Sequence, residues 1–142
     1  MSTQEIAKVA AADVEPNRRR GGELRVVLGP KTAGATTGFL GVLTMAPGDY
    51  VSEHYHPYSE EFLYVVRGTL LVRVDSQPVE LSAGEGLLVP INARHSVRNT
   101  TGEQAEAVFH LCPLAPRPEL GHVDTEALPR PDEAQPGVGA TR

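Results

Sequence analysis

An all-β sandwich or barrel is the fold class this sequence predicts, and three observations predict it. Short runs rich in Val, Leu, Phe and Tyr recur at close spacing between residues 21 and 112. Gly (14) and Pro (12) punctuate the 142-residue chain densely, so turn chemistry returns every few residues. No internal stretch carries the apolar period of a helix of useful length. Close-set strands separated by turns are the pattern of two sheets, or one closed sheet, around a single core. With 40% hydrophobic and 22% charged residues, the chain has the material for one such core in one domain.

Taken in order, strands are expected at Glu23–Leu28, Phe39–Ala46, Tyr50–His56, Glu61–Val66, Thr69–Asp75, Val79–Leu81, Gly86–Val89, His95–Asn99 and Ala105–Leu111. The segments between them, such as "GPKTAG", "PYS", "DSQP", "SAGE" and "TTGE", read as turns. Residues 1–20 are Ala-rich and charged, and form an N-terminal arm that is a short helix, a strap over a neighbour, or unstructured. Residues 113–142 are Pro-rich with little to bury. They are expected to be an irregular tail, draped over the barrel at first and frayed at its end. The layout is therefore an arm at 1–20, a barrel at 21–112 and a tail at 113–142.

Formal net charge is −5 and the isoelectric point is near 5.5. This balance argues against nucleic acid or an anionic membrane as the partner. The run Arg18-Arg19-Arg20 is short and reads as a solvated turn or a dimer contact. The one cysteine, Cys112, excludes an intrachain disulfide. The start lacks the basic-then-apolar pattern of a signal peptide, and no apolar run reaches membrane-span length, so a cytoplasmic protein is expected. No dinucleotide fingerprint, phosphate loop or serine elbow is present.

The residues that carry chemistry are histidines. His54 and His56 lie at i and i+2 of an expected strand, so both point to one side. Two imidazoles side by side suit a Zn, Fe, Ni, Cu or Mn ion but cover only one side of it. Of Glu60 and Glu61, opening the next strand, one must point inward toward the pair. His95 opens another strand. If "TTGE" is a four-residue hairpin loop, His95 lies opposite Val108 and His110 shares its face; one residue more or less in the loop turns His110 outward. Four of the five histidines can then converge. His122, in the tail, has no such argument. Phe39, Tyr50, Phe62, Tyr64, Leu88, Val97 and Phe109 are available to line a cavity.

These spacings resemble the cupin motif pair, G-x5-H-x-H-x(3,4)-E-x6-G followed by G-x5-P-x-G-x2-H-x3-N. The chain reads Gly48, His54, His56, Glu61 and Gly68, then Gly84, Pro90, Asn92 in place of Gly, His95 and Asn99. Asn also tolerates a left-handed turn, so the departure is mild. The resemblance implies a jelly-roll barrel with metal ligands at His54, His56, Glu61 and His95. The wording "EHYHPYSEEFLYVVRG" is further similar to small single-domain cupin polyketide cyclases of bacterial antibiotic and pigment biosynthesis. That implies a metal-dependent enzyme closing rings on a poly-β-ketone, its substrate free or delivered on an acyl carrier protein.

For such a reaction, His110 rivals Glu61 as fourth ligand. Four neutral imidazoles preserve the full charge of a divalent ion, most simply Zn2+, with Fe2+, Ni2+ or Mn2+ as alternatives, whereas a carboxylate cancels part of it. The set His54, His56, His95 and His110, with Glu61 orienting a histidine, therefore suits a Lewis-acid cyclase. An Fe(II)- or Mn-dependent oxygenase, acting on a phenolic or diketone substrate, would suit Glu61 as ligand. A non-catalytic small-molecule binding module is the third reading. Apolar residues at both parities of Phe62–Val66 point to a homodimer.

Overall fold

The computed structural model describes residues 5–139 and consists of two antiparallel five-stranded sheets facing each other. The strands are β1 (Glu23–Leu28), β2 (Phe39–Met45), β3 (Tyr50–Tyr55), β4 (Glu60–Arg67), β5 (Thr69–Val74), β6 (Gln77–Ser82), β7 (Gly86–Val89), β8 (His95–Arg98), β9 (Ala105–Cys112) and β10 (Val123–Asp124). One sheet has the order β1-β2-β9-β4-β7, the other β10-β3-β8-β5-β6. Each expected strand is present. Three elements were not foreseen: a single helical turn, α1 (Pro30–Ala33), within "GPKTAG", and, in the tail, a 3-10 turn at Pro118–Leu120 and β10. All are too short to show a period. Pro30 presets the first turn of α1, Thr32 Oγ1 accepts the Gly29 N–H at 3.0 Å, and Gly34 ends it at φ 68°.

Side chains alternate across β4 and β9 as period-two strands require. Leu63 and Val65 on β4, and Ala105, Ala107, Phe109 and Leu111 on β9, are buried between the sheets. Phe62, Tyr64 and Val66 face outward and are about half exposed. With Met45, Leu70 and Val72, which are 0–1% exposed, Val65 packs one end of the sandwich. Burying each such side chain contributes about 1.5–3 kcal/mol. Toward the other end the inward positions become Glu61 on β4 and His54 and His95 on the facing sheet.

The "TTGE" loop is not a hairpin. β8 pairs with β3 and β5, whereas β9 pairs with β2 and β4, so the loop carries the chain from one sheet to the other. Asn99 holds this crossover: its Nδ2 donates to the carbonyls of Met45 (3.0 Å) and Glu103 (2.7 Å), and its Oδ1 accepts from Thr101. Asn92, standing in the glycine position of the second motif, adopts φ 67°, the left-handed conformation that asparagine tolerates.

Both ends of the chain dock on the barrel. Asn17 pairs with Leu24 through two backbone hydrogen bonds. Gly21 has φ 103°, and a Cβ there would lie 1.7 Å from the Tyr50 carbonyl oxygen, so only glycine lets this loop press against β3. β10 adds to the edge of β3, placing Asp124 opposite His54. Arg19 Nη1 donates to the Pro131 and Glu133 carbonyls, both at 2.6 Å, the Arg18 N–H donates to Glu133 Oε1 at 2.6 Å, and the Lys31 N–H donates to the Val138 carbonyl at 3.2 Å. The tail is thus fastened as far as Val138; its expected frayed end falls at residues 140–142, which, like residues 1–4, lie outside the described residues. Among the described residues no helix is long and apolar enough to cross a membrane.

Candidate metal centre

His54 and His95 are directly paired across β3 and β8, and their ring centroids lie 4.2 Å apart. A register irregularity between Val51 and His54 re-aims this end of β3. His56, one residue beyond β3, lies 4.9 Å from His54 and 5.1 Å from His95, ring to ring. The fourth ring comes from the tail: His122, immediately before β10, stacks on His54 at 4.3 Å and 17°. Glu61 reaches in from the opposite sheet, its Oε2 3.0 Å from His95 Nε2.

Every one of these rings has one nitrogen engaged by an oxygen. His54 Nδ1 contacts the Ser52 carbonyl (2.7 Å), His56 Nδ1 the Gly121 carbonyl (2.9 Å), His95 Nδ1 the Ala93 carbonyl (2.9 Å), and His122 Nε2 Asp124 Oδ1 (2.7 Å). A carbonyl or carboxylate can only accept, so each engaged nitrogen carries the proton; in His54, His56 and His122 the other keeps its lone pair, whereas His95 Nε2 faces the Glu61 carboxylate. His56 Nε2, His95 Nε2 and His122 Nδ1 are buried without a hydrogen-bond partner; the approach of His95 to Glu61 is close but not aligned for a hydrogen bond. Buried orphan nitrogens are costly unless something fills the space between them.

The electrostatics follow from crowding. Burial, then the neighbouring rings of His95, His122 and His56, push His54 well below the usual imidazole range. Burial also lowers His56, with Glu61 opposing, and takes His122 to about 2, with the Arg20 charge adding to the effect. These rings are neutral donors at physiological pH. His95 is the exception: burial would lower it, but the Glu61 carboxylate beside it prevails and raises it. Burial would raise Glu61, but His95, His56 and Arg20 outweigh it and keep the carboxyl ionised below its usual range.

The donor atoms form two overlapping sets, His54–His56–His122 and His56–Glu61–His95, each with its atoms within 4.8 Å of one another. Neutral imidazoles with fixed tautomers plus one ionised carboxylate are the donor chemistry of a divalent transition metal. The residues present therefore fit such an ion.

The cluster is the floor of a partly open cleft. A recess of about 50 Å³ lies over His54, His56, Glu61 and His95, walled by Phe39, Val97 and Phe109. It continues into a mouth chamber of about 240 Å³ roofed by tail residues, including Leu114, Pro118 and Val138. Arg20 and His122 line both.

Three sequence expectations are corrected here. His110 is not at the centre: it lies on the outer face of β9, its ring 6.0 Å from Phe62, because β8 and β9 belong to different sheets and Phe109 and Leu111 take the inward positions. Phe62, Tyr64 and Leu88 likewise face outward and do not line the recess. The Arg18–Arg20 run is not simply a solvated turn, since Arg20 points into the cavity. His122 was missed. Its only sequence signal is the pattern His-x-Asp, which lets Asp124 hold its ring.

A two-sheet antiparallel barrel that gathers imidazoles from separate segments at one end defines a single-barrel double-stranded β-helix protein. The chain belongs to the cupin family: the Cupin_2 profile, described as a cupin domain, matches residues 41–111. It is 56% identical over 136 residues to Protein SchB of Streptomyces halstedii, covering 96% of both chains. It is 58% identical over 119 residues to Polyketide synthase CurC of Streptomyces cyaneus, covering 84% of this chain and 77% of that one. Among solved structures, the polyketide cyclase RemF from Streptomyces resistomycificus superposes with a TM-score of 0.69 at 18% identity, covering 89% of this chain and 90% of that one. The profile ends short of both Arg20 and His122.

Proposed function

We propose that this chain is a metal-dependent polyketide cyclase that closes and aromatises a ring on a poly-β-ketone, in antibiotic or pigment biosynthesis. One observation carries the reading: His54, His56, His95 and His122, each with one nitrogen held by an oxygen, gather with Glu61 around one recess, their donor atoms forming two overlapping sets. The printed name of CurC, a polyketide synthase protein, supplies the substrate class.

His54, His56, His95 and His122 would hold the ion, Zn2+ in the first instance, with Glu61 beside His95 as the neighbouring carboxylate. When bound, the ion supplies Lewis acidity that makes the methylene of a 1,3-dicarbonyl unit more acidic. Glu61, kept ionised and facing the recess, accepts that proton. The carbanion carbon then bonds to a carbonyl carbon further along the chain, whose oxygen takes up a proton, and loss of water aromatises the ring. Phe39, Val97 and Phe109 hold the flexible ketide so that two of its carbons meet, which converts an intermolecular search into a positioned encounter. The tail excludes bulk water from the chamber. The outer face bearing Phe62, Tyr64, Val66 and Leu88 is too apolar for a solvated surface and pairs two copies into a homodimer.

The test is ring closure on a synthetic poly-β-ketone, free and carrier-bound, without oxygen. Zinc-restored turnover after chelation supports the cyclase. Turnover that requires dioxygen and iron or manganese replaces it with the oxygenase, and ligand binding by metal-free protein without turnover replaces it with a binding module. A monomeric mass in solution overturns the dimer.

A further inference from the structure

Three consecutive arginines enter the structure together and part ways. Arg18 pairs with Glu23 at 2.8 Å, and its backbone N–H is held by Glu133. Arg19 is spent on two tail carbonyls. Arg20 turns inward. Its backbone carbonyl accepts the Ser52 N–H at 3.2 Å, which anchors it two residues from His54, and Gly21 fixes the loop against β3. Its side chain lines both the recess and the mouth chamber, in company with His56 and His122.

The guanidinium there has little to hold it. Among the described residues its one side-chain hydrogen bond is a long contact of 3.5 Å from Nη2 to Gln135 Oε1. Among the described residues no carboxylate forms an ion pair with it. Asp124 and Glu61 act on it only through space, and burial lowers its pKa to about 10, which still leaves it cationic at neutral pH. A planar five-donor cation facing a cavity with its donors largely unused is a ready anion site. Neither Asp124 nor Glu61 is within ion-pair distance of it; their recorded close contacts are to His122 and His95.

We infer that Arg20 is the anchor for an anionic oxygen of the ligand, an enolate or a carboxylate, in the cavity above the histidine cluster. This rests on the reading of that cavity as the polyketide site and adds a specificity residue to it. An arginine at this place discriminates: a ketide fold that brings an ionised oxygen to the guanidinium is retained, and a fold that brings a methylene there leaves the cation unpaired.

Two probes separate the two sources of the anion. Benzoylacetone ionises to an enolate and carries no carboxylate; 3-phenylpropanoate carries a carboxylate and no dicarbonyl. Each is titrated calorimetrically into the zinc-loaded full chain, as wild type, Arg20→Gln, Arg20→Lys and Arg18→Gln. The enolate absorbance of bound benzoylacetone is followed against pH in parallel. Arg20→Gln is expected to weaken the anionic probe by roughly tenfold or more and to shift the appearance of bound enolate to higher pH. Arg20→Lys should recover part of the loss, and Arg18→Gln, which removes the same charge from the surface, should change nothing. Zinc stoichiometry and melting temperature should stay at wild-type values in Arg20→Gln, which a merely structural arginine would not allow. Loss for benzoylacetone alone assigns the enolate, and loss for 3-phenylpropanoate alone assigns the carboxylate. If Arg20→Gln binds both probes as wild type does, or loses zinc and stability with them, the anchor is overturned while the cavity reading stands. If wild type binds neither probe at millimolar concentration, the cavity reading fails and takes the anchor with it.

Discussion

Along β4 the inward side chains run Glu61, Leu63, Val65, and along β9 they run Leu111, Phe109, Ala107, Ala105. Within a few residues the interior passes from an ionised carboxylate among imidazoles to positions with no exposure at all. The apolar end is held by packing: Met45, Val65 and Val72 are fully buried. The polar end is held by hydrogen bonds to backbone oxygens and by the two termini, which supply Arg20 and His122. Stability and chemistry are thus kept in different ends of one sandwich. A change at one end should be nearly silent in the property of the other.

The sharpest break of that comparison is His56, the member common to both donor sets. His56→Ala should abolish tight zinc uptake in calorimetry, by about 100-fold or more, while far-ultraviolet circular dichroism stays unchanged. The mirror experiment is Met45→Ala, which should cost about 2–5 kcal/mol in urea unfolding yet leave one zinc bound per chain. Loss of zinc in the second variant would show that the two ends are not independent.

A smaller effect sharpens the polar end. Asp124→Asn disturbs the acceptor that fixes the His122 ring, and should weaken zinc by about 10–100-fold. His110→Ala, on the outer face, should leave zinc affinity as it is. Reversal of that order would restore His110 and dismiss the tail.

The smallest effect is the pH dependence of the metal-free protein. His54, His56 and His122 have folded pKa values below the unfolded 6.5, so the unfolded chain takes up more protons as pH falls through 6.5. Their contribution is present above that value and lost below it. His95, raised by Glu61, contributes in the opposite sense, but it is one group against three. Urea midpoints for the chelated protein should therefore fall from pH 7.5 to 5.5, and a rise would contradict the neutral cluster.

Much of the barrel was legible in the sequence because its signals are local. Gly and Pro mark the turns, alternation marks the faces, and the His-x-His spacing fixes two rings to one side whatever the rest of the fold does. The Asn92 departure was legible for the same reason, since its left-handed turn depends on its own side chain. What failed depended on pairing. Whether "TTGE" is a hairpin or a crossover is decided by which sheet β9 joins, and that error alone moved His110 inside. Four histidines out of five were expected to converge, with His110 as the fourth; the rings that lie together are His54, His56, His95 and His122. His122 and Arg20 lie in segments whose composition says only that they bury little; their places follow from β10 adding to an edge strand and from Gly21 meeting the Tyr50 carbonyl.

The docked tail has a consequence in time. During synthesis, the strands through Cys112 leave the ribosome before His122 does, at about 5–20 residues per second. A barrel emerging in that order owns three rings and an open mouth, and acquires its fourth ring only when the last segment swings back onto β3. On the reading of this cluster as a metal centre, its set of rings is completed only after the last segment is made, and a nascent chain stalled before His122 would lack one ring of the socket.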